Sequence, residues 1–182
     1  MQNTLLVRYG NIPEVARFTY ELPAVPARGE RVVVQTHRGL ELGTALEMLR
    51  KGVNGHDHPD DAAAAASMIE TVVRAATSED EQQAAELQAQ AQRDFPVWQD
   101  RLREWKLDLE LIDLEWTLDR QKLVLYVLGG RGPDTTRLAI LAAAAGLAVI
   151  EVQPVSADGL VPLPAEGGGG GCGSGGGGCG CH

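Results

Sequence analysis

Cysteine is missing from the whole body of the chain: Cys172, Cys179 and Cys181 all fall in the last eleven of 182 residues. A disulfide framework of the kind that holds small secreted domains together is therefore excluded. Aromatic residues make up only 4% of the chain, so any core has to be largely aliphatic. No apolar run approaches the roughly 18 residues that a membrane helix needs, and no apolar segment follows a basic start as in a secretion signal. A soluble, cytoplasmic protein with no membrane span is expected. Positive charge is also short. The net charge is −9, with residues 1–50 nearly balanced and the excess of Asp and Glu lying beyond them. Binding to nucleic acid rests on Lys and Arg neutralising phosphates. DNA is therefore not expected as a partner, and direct contact with RNA would have to use Arg28, Arg31 and Arg38 in the N-terminal third. Catalytic signatures are lacking too. The body of the chain holds no nucleophile elbow, no Ser/His/Asp or Cys/His set and no carboxylate pair in an evident pocket, so an enzyme is not expected.

What is there is globular: 44% apolar and 23% charged, enough for one core, or one core with a small appended module. The most informative stretch is Lys106 to Leu128. Leu107, Leu109 and Leu111 alternate with acids in the period-two pattern of a half-buried strand. The phase slips at Ile112–Asp113 and resumes through Leu114, Trp116 and Leu118, which is the signature of a β-bulge. After the turn Asp119-Arg120-Gln121-Lys122, the run Leu123 to Leu128 is apolar on both faces and reads as a central strand.

Upstream, residues 4–10, 14–21, 31–37 and 40–48 read as short strands separated by tight turns, a small meander or barrel-like module. Residues 51–67 read as a linker. His56-Asp57-His58 within it offers possible metal ligands, though a polar loop is the plainer reading. Met68 to Ala76 could be helical or extended, and its β-branched residues favour a strand. Ser78 is placed to cap a helix with Glu81 closing a capping box. Along that helix Leu87, Ala91, Phe95, Trp98, Leu102 and Trp105 form one face directed at the sheet, and Pro96 is expected to kink or split it. The turn Gly129-Gly130-Arg131-Gly132 leads into a short helix ending at Gly146, capped by Asp134 or Thr135. It lacks the spacing of a phosphate loop. Leu147 to Val152 reads as the last strand, after which Pro154, Pro162 and Pro164 lead the chain away. The expected architecture is α+β: a β-rich module over residues 1–50, then a split β-α-β sandwich over 68–155 with an antiparallel sheet. A disordered Pro- then Gly/Cys-rich tail is expected over 156–182.

Arg28-Gly29-Glu30-Arg31-Val32-Val33-Val34, Thr36-His37-Arg38-Gly39-Leu40-Glu41-Leu42-Gly43, Arg74 to Asp80, and Leu107 to Leu123 together resemble the polymerase-suppressor C-terminal-domain family, the YaaT/RicT-like bacterial regulatory proteins. The resemblance covers residues 4 to about 155, in the family's order. It implies a cytoplasmic, non-catalytic regulatory or scaffold protein. Such a protein would assemble with two small partners of the RicA/RicF type and act on RNA processing through the RNase Y system. It also marks Arg28, Gly29, Arg31, Arg38, Gly39, Glu41, Gly43, Arg74, Thr77, Asp80, Glu115, Asp119 and Lys122 as motif and partner-binding positions.

The family's complexes carry iron–sulfur clusters, and its members end in a cysteine segment, here replaced by the glycine-rich run 167–182. Cys172, Cys179, Cys181 and His182 are soft or borderline ligands suited to zinc or a 4Fe-4S cluster. Their spacing is unlike that of a self-contained zinc site, so a cluster shared with a partner is the form the resemblance favours. A metal carrier or sensor using this tail is the alternative function.

Overall fold

The computed structural model describes residues 3–21, 23–49, 70–129, 132–157 and 159–161. The linker, the His56-Asp57-His58 triplet and all four proposed tail ligands lie outside the described residues.

Strands β1 (Asn3–Tyr9), β2 (Glu14–Tyr20), β3 (Arg31–Gln35), β4 (Leu40–Leu49) and β5 (Thr71–Ala75) close into a barrel in the order β1-β2-β5-β3-β4. Period-two alternation in each strand sends one set of side chains inward. Leu5, Val7, Tyr9, Phe18, Tyr20, Val32, Val34, Ala45 and Val72 form the barrel core. Each fully buried aliphatic side chain of this kind contributes about 1.5–3 kcal/mol. Gly43 is demanded by the closeness of β4 to β1. A Cβ there would stand 2.4 Å from Cγ1 of Val7.

Helix α1 (Ser78–Glu104) follows β5, and then a four-stranded sheet in the order β6-β7-β8-β9 is built from β6 (Glu110–Trp116), β7 (Lys122–Leu128), β8 (Val149–Ser156) and β9 (Gly159–Leu160). Helix α2 (Pro133–Ala144) connects β7 to β8. The sheet is mixed, since β7 and β8 run parallel through this helical crossover. Both helices cover one face: Ala91, Trp98 and Leu102 of α1 and Leu138 and Ala142 of α2 pack on Leu114, Leu123, Leu125 and Val127.

The hairpin, its bulge and its central strand are present, although β6 spans only Glu110–Trp116 and leaves Leu107, Leu109 and Leu118 outside the strand. The register of β6 against β7 shifts between Leu111 and Asp113, and β7 is central and buried over five consecutive residues. Other expectations need correcting. The strand after the linker does not begin the sandwich: β5 closes the barrel, parallel to β2 and antiparallel to β3. The second sheet therefore has no strand preceding α1 and is not fully antiparallel. Helix α1 starts one residue earlier than expected. Thr77 is its N-cap and Asp80, not Glu81, completes the capping box, while α2 begins at Gly132-Pro133 with no side-chain cap. Helix α1 runs unbroken through Pro96. It is therefore not split there: Leu87 and Ala91 on one side of the proline and Trp98 and Leu102 on the other are all buried, so packing keeps both halves in one helix despite one lost backbone hydrogen bond. Pro154 lies inside β8, and the chain turns back through Gly159 to add β9.

Candidate functional site

The barrel and the sheet meet at a polar junction. The turn from β3 to β4, Thr36 to Gly39, and the turn from β1 to β2, Gly10 to Pro13, both reach the sheet face that the helices leave open. That face presents Glu115 from β6 and Glu151 from β8, both paired with Val124 of β7, and Tyr126 two residues further along β7.

Arg38 is the centre of the junction, with its side chain 1% exposed. Its Nε lies 2.9 Å from Oε1 of Glu41 and its NH2 donates to Oε2 of the same carboxylate at 3.1 Å. NH1 donates to the Tyr126 hydroxyl at 3.0 Å and stands 3.7 Å from Oε1 of Glu115. The guanidinium also lies over the Tyr9 ring, 5.1 Å from its centroid, a favourable cation–π placement. Tyr126 in turn donates a short hydrogen bond to Glu115, whose other oxygen accepts from the Asn11 backbone N–H at 2.7 Å. One arginine thus serves two buried carboxylates. Burial pushes Glu41 up to about 7 against the pull of Arg38. Burial raises Glu115 as well, against its hydrogen bond from Tyr126 and the charge of Arg38.

A second cluster lies beside the first. His37 Nε2 is 3.2 Å from Oε1 of Glu151, and Lys122 Nζ donates to Oε2 of Glu151 at 2.8 Å and to the His37 carbonyl at 3.3 Å. Hydrogen bonding to Glu151, and then to Glu70, raises His37 to about 9. Burial would push Glu151 up, but the bonds from His37 and Lys122 outweigh it and hold the carboxylate at about 2.

The seam is completed by Asp119, which receives the Leu40 backbone N–H at 3.3 Å and the Thr117 hydroxyl at 2.6 Å. Burial raises its pKa, but these bonds dominate and the net shift is downward. Gly39 sits against that carboxylate with φ +142, and a Cβ would fall 3.2 Å from Oδ2. Leu118 N–H donates to the Leu40 carbonyl at 2.7 Å, and Val33, Leu87 and Leu118 form a small apolar core that ties barrel, helix and hairpin together.

The motif positions therefore fall into groups. Arg38, Gly39, Glu41, Glu115, Asp119 and Lys122 converge on the junction. Arg74, Thr77 and Asp80 form a separate unit where β5 hands over to α1. Arg74 makes a two-armed ion pair with Asp80, one arm at 2.7 Å, while Asp80 also accepts from the Thr77 N–H at 2.8 Å. These bonds, that from Arg74 foremost, hold the Asp80 carboxylate well below the usual range. Gly43 lies in the barrel wall, and Arg28, Gly29 and Arg31 are exposed and away from the junction. Burial removes Arg38 from the arginines available to RNA. Tyr126 was not legible as a junction residue. Its signal was a lone hydroxyl in a run otherwise purely aliphatic, which a buried tyrosine has to match with a partner. Among the described residues no three His, Cys, Asp or Glu side chains are grouped to hold a metal ion, and no helix is long and apolar enough to cross a membrane.

Fold and junction define a two-module α+β protein in which buried Arg38 reaches from the barrel to Glu115 and Tyr126 of the sheet. Residues 70–129 match the family described as "PSP1 C-terminal conserved region". The chain is also similar to "Stage 0 sporulation protein YaaT" of Bacillus subtilis (strain 168), with 32% identity over 95 residues. The alignment covers 52% of this chain and 32% of that protein, so the chain spans well under half of the relative's length. No solved structure matches. The family region is not one of the two modules by itself: it holds β5, α1, β6 and β7, and so straddles the junction.

Proposed function

We propose that this protein is a non-catalytic regulatory scaffold of the YaaT/RicT type, acting in the cytoplasm through protein partners. The observation that carries the reading is the similarity to YaaT together with the family region at residues 70–129. The geometry agrees with it. The strongly perturbed groups are paired with one another: Arg38 with Glu41 inside the barrel, and Arg38 with Glu115 and His37 with Glu151 across the junction. Their chemistry there is orientation: a buried ion pair contributes little net stability but specifies one geometry against alternatives. A scaffold that presents surfaces from two modules to different partners needs their relative placement held in this way.

In its finer form the proposal has the partners as small proteins of the RicA/RicF type and the process as RNA maturation through an RNase Y-type nuclease. The cysteine tail then serves as part of a ligand set that a partner completes. The test is reconstitution: the full chain mixed with the RicA- and RicF-like proteins of the same genome and passed over a sizing column. A single co-eluting complex is expected, and separate elution of all three at micromolar concentrations would overturn the reading.

A further inference from the structure

Beside the junction, and sharing Glu41 and Glu115 with it, a cleft of about 590 Å³ opens between the barrel, helix α1 and the hairpin. One wall is the outer face of the barrel. There Arg8 of β1 pairs with Thr44 of β4, and Thr44 pairs with Arg31 of β3. Directly paired residues of antiparallel strands point to the same face, so two arginines flank one threonine in a row across three strands. The β1–β4 register shifts between Leu6 and Val7, and this irregularity brings Arg8 opposite Thr44. Arg31 NH1 donates to the Thr44 hydroxyl oxygen at 2.8 Å, which orients the guanidinium and leaves the hydroxyl proton free to donate elsewhere. Among the described residues neither Arg8 nor Arg31 has a carboxylate partner, unlike Arg38, Arg74, Arg103, Arg120 and Arg137. The opposite wall is one face of α1, where Ala84 and Ala85 leave room between Glu81 and Gln88.

We propose that this row is an anion-binding site that takes the carboxylate or phosphate of a compact ligand. Two guanidinium forks and a hydroxyl are the donors that planar or tetrahedral oxyanions match best, and the alanine wall leaves space for a small body behind the charged group. The remaining charges around the cleft set the size limit. Glu81 also lines the cleft, as do Glu41 and Glu115, which are engaged with Arg38, and the chain as a whole carries −9. A polyanion such as RNA would meet these acids over most of its length, whereas a single carboxylate or phosphate meets only the row. The ligand is either a free small molecule or an acidic side chain of a partner protein.

The experiment is an NMR titration of the full chain at fixed ionic strength, in parallel with inorganic phosphate, succinate, a short glutamate-containing peptide and a single-stranded oligonucleotide. Saturable shifts are expected for the Arg8 and Arg31 side chains and for the Thr44, Ala84 and Ala85 amides. The doubly substituted R8Q/R31Q protein should bind at least tenfold more weakly, and Arg28→Gln, outside the cleft, should bind as the parent does. Ala85→Leu, which fills the cleft from an exposed helix position without touching an arginine, should weaken binding as strongly. Saturation by phosphate or succinate identifies a free small anion, and saturation by the peptide alone identifies a partner's side chain. No saturable shift with any of these three, shifts spread equally to Arg28, binding unaffected by R8Q/R31Q, or oligonucleotide affinity that grows with length would each overturn the proposal.

Discussion

Arg38 shows how much a single side chain can do when it contacts two carboxylates, those of Glu41 and Glu115. Removing one partner of a buried pair leaves uncompensated charge, which costs about 3–5 kcal/mol. Arg38→Met should therefore lower the stability read by urea denaturation by about that amount, whereas Arg28→Met, at an exposed turn, should change it by less than about 0.5 kcal/mol. Gly43 is constrained differently, by space. Gly43→Ala puts a methyl group 2.4 Å from Val7 Cγ1, and overpacking of this kind costs about 1–3 kcal/mol. The companion change Val7→Ala should recover part of that loss, so a double-mutant cycle would show favourable coupling. Non-coupling would mean that the strands simply move apart. Arginine in Thr36-His37-Arg38-Gly39 was recognisable as a motif residue, but nothing in its neighbours along the chain announces burial. Besides Glu41, three residues on, its partners lie at Glu115 and Tyr126, far away in sequence, and only the meeting of two turns with the sheet reveals those.

At the level of elements, helix α1 bridges the two modules. Its first half packs on β3, β4 and Leu118, and its second half on the sheet. Pro96 sits on the exposed side of that helix, where its ring adds no core packing and its missing N–H leaves a carbonyl unpaired. Pro96→Ala should raise stability by about 1–3 kcal/mol, the penalty of an interior proline relative to alanine, seen as a higher urea midpoint with an unchanged slope. A loss of stability instead would show that the proline sets a bend the packing needs. The alternation of Leu107 to Leu118, its phase slip and the apolar run of β7 were all legible from the residues, because a strand's exposure pattern is a local property with a period of two. The capping box was read one residue late, since Ser78 is as a residue type the better cap of the two. Arg74, which reaches Asp80 from β5, decides between them.

For the molecule as a whole, the junction is electrostatic and so depends on pH. His37, whose ordinary value is 6.5, is raised to about 9 in the folded state. Folding thus tightens its proton, and the stability gained is complete below pH 6.5 and lost as pH rises through 9. Glu151 moves the other way, from 4.5 to about 2, so its contribution is present above pH 4.5 and lost as pH falls through 2. The His37–Glu151 contact is consequently at full strength between pH 4.5 and 6.5. Glu41, raised from 4.5 to about 7 by burial, withdraws stability over its own range as pH rises through 7. Urea midpoints measured from pH 6.5 to 9 should fall with pH in the parent protein, and His37→Gln should remove the alkaline part of that fall while keeping the part due to Glu41. An unchanged alkaline slope in the variant would show that His37 does not hold the modules together. For the tail, iron, zinc and acid-labile sulfide would be measured on anaerobically purified full chain and on a chain ending at Glu166. Metal carried by the full chain with its partners and absent from the shorter one is the expected outcome. Equal metal in both would take Cys172, Cys179, Cys181 and His182 out of the ligand set.

By itself, the sequence determined the pieces: four of the barrel strands, the hairpin with its bulge, the helix face and the α+β class. Each is written in periodicities and turn residues that span only a few positions, so local physical chemistry suffices to read them. Only the tertiary structure decided where β5 belongs, that Pro96 leaves α1 intact, and that Arg38 is buried between two modules. Those outcomes depend on pairing between residues dozens of positions apart. For β5 the choice was between closing a barrel edge and extending the sheet. Its short β-branched run suits either, and the unsatisfied backbone edges of β2 and β3, which it alone can cover together, settle the matter.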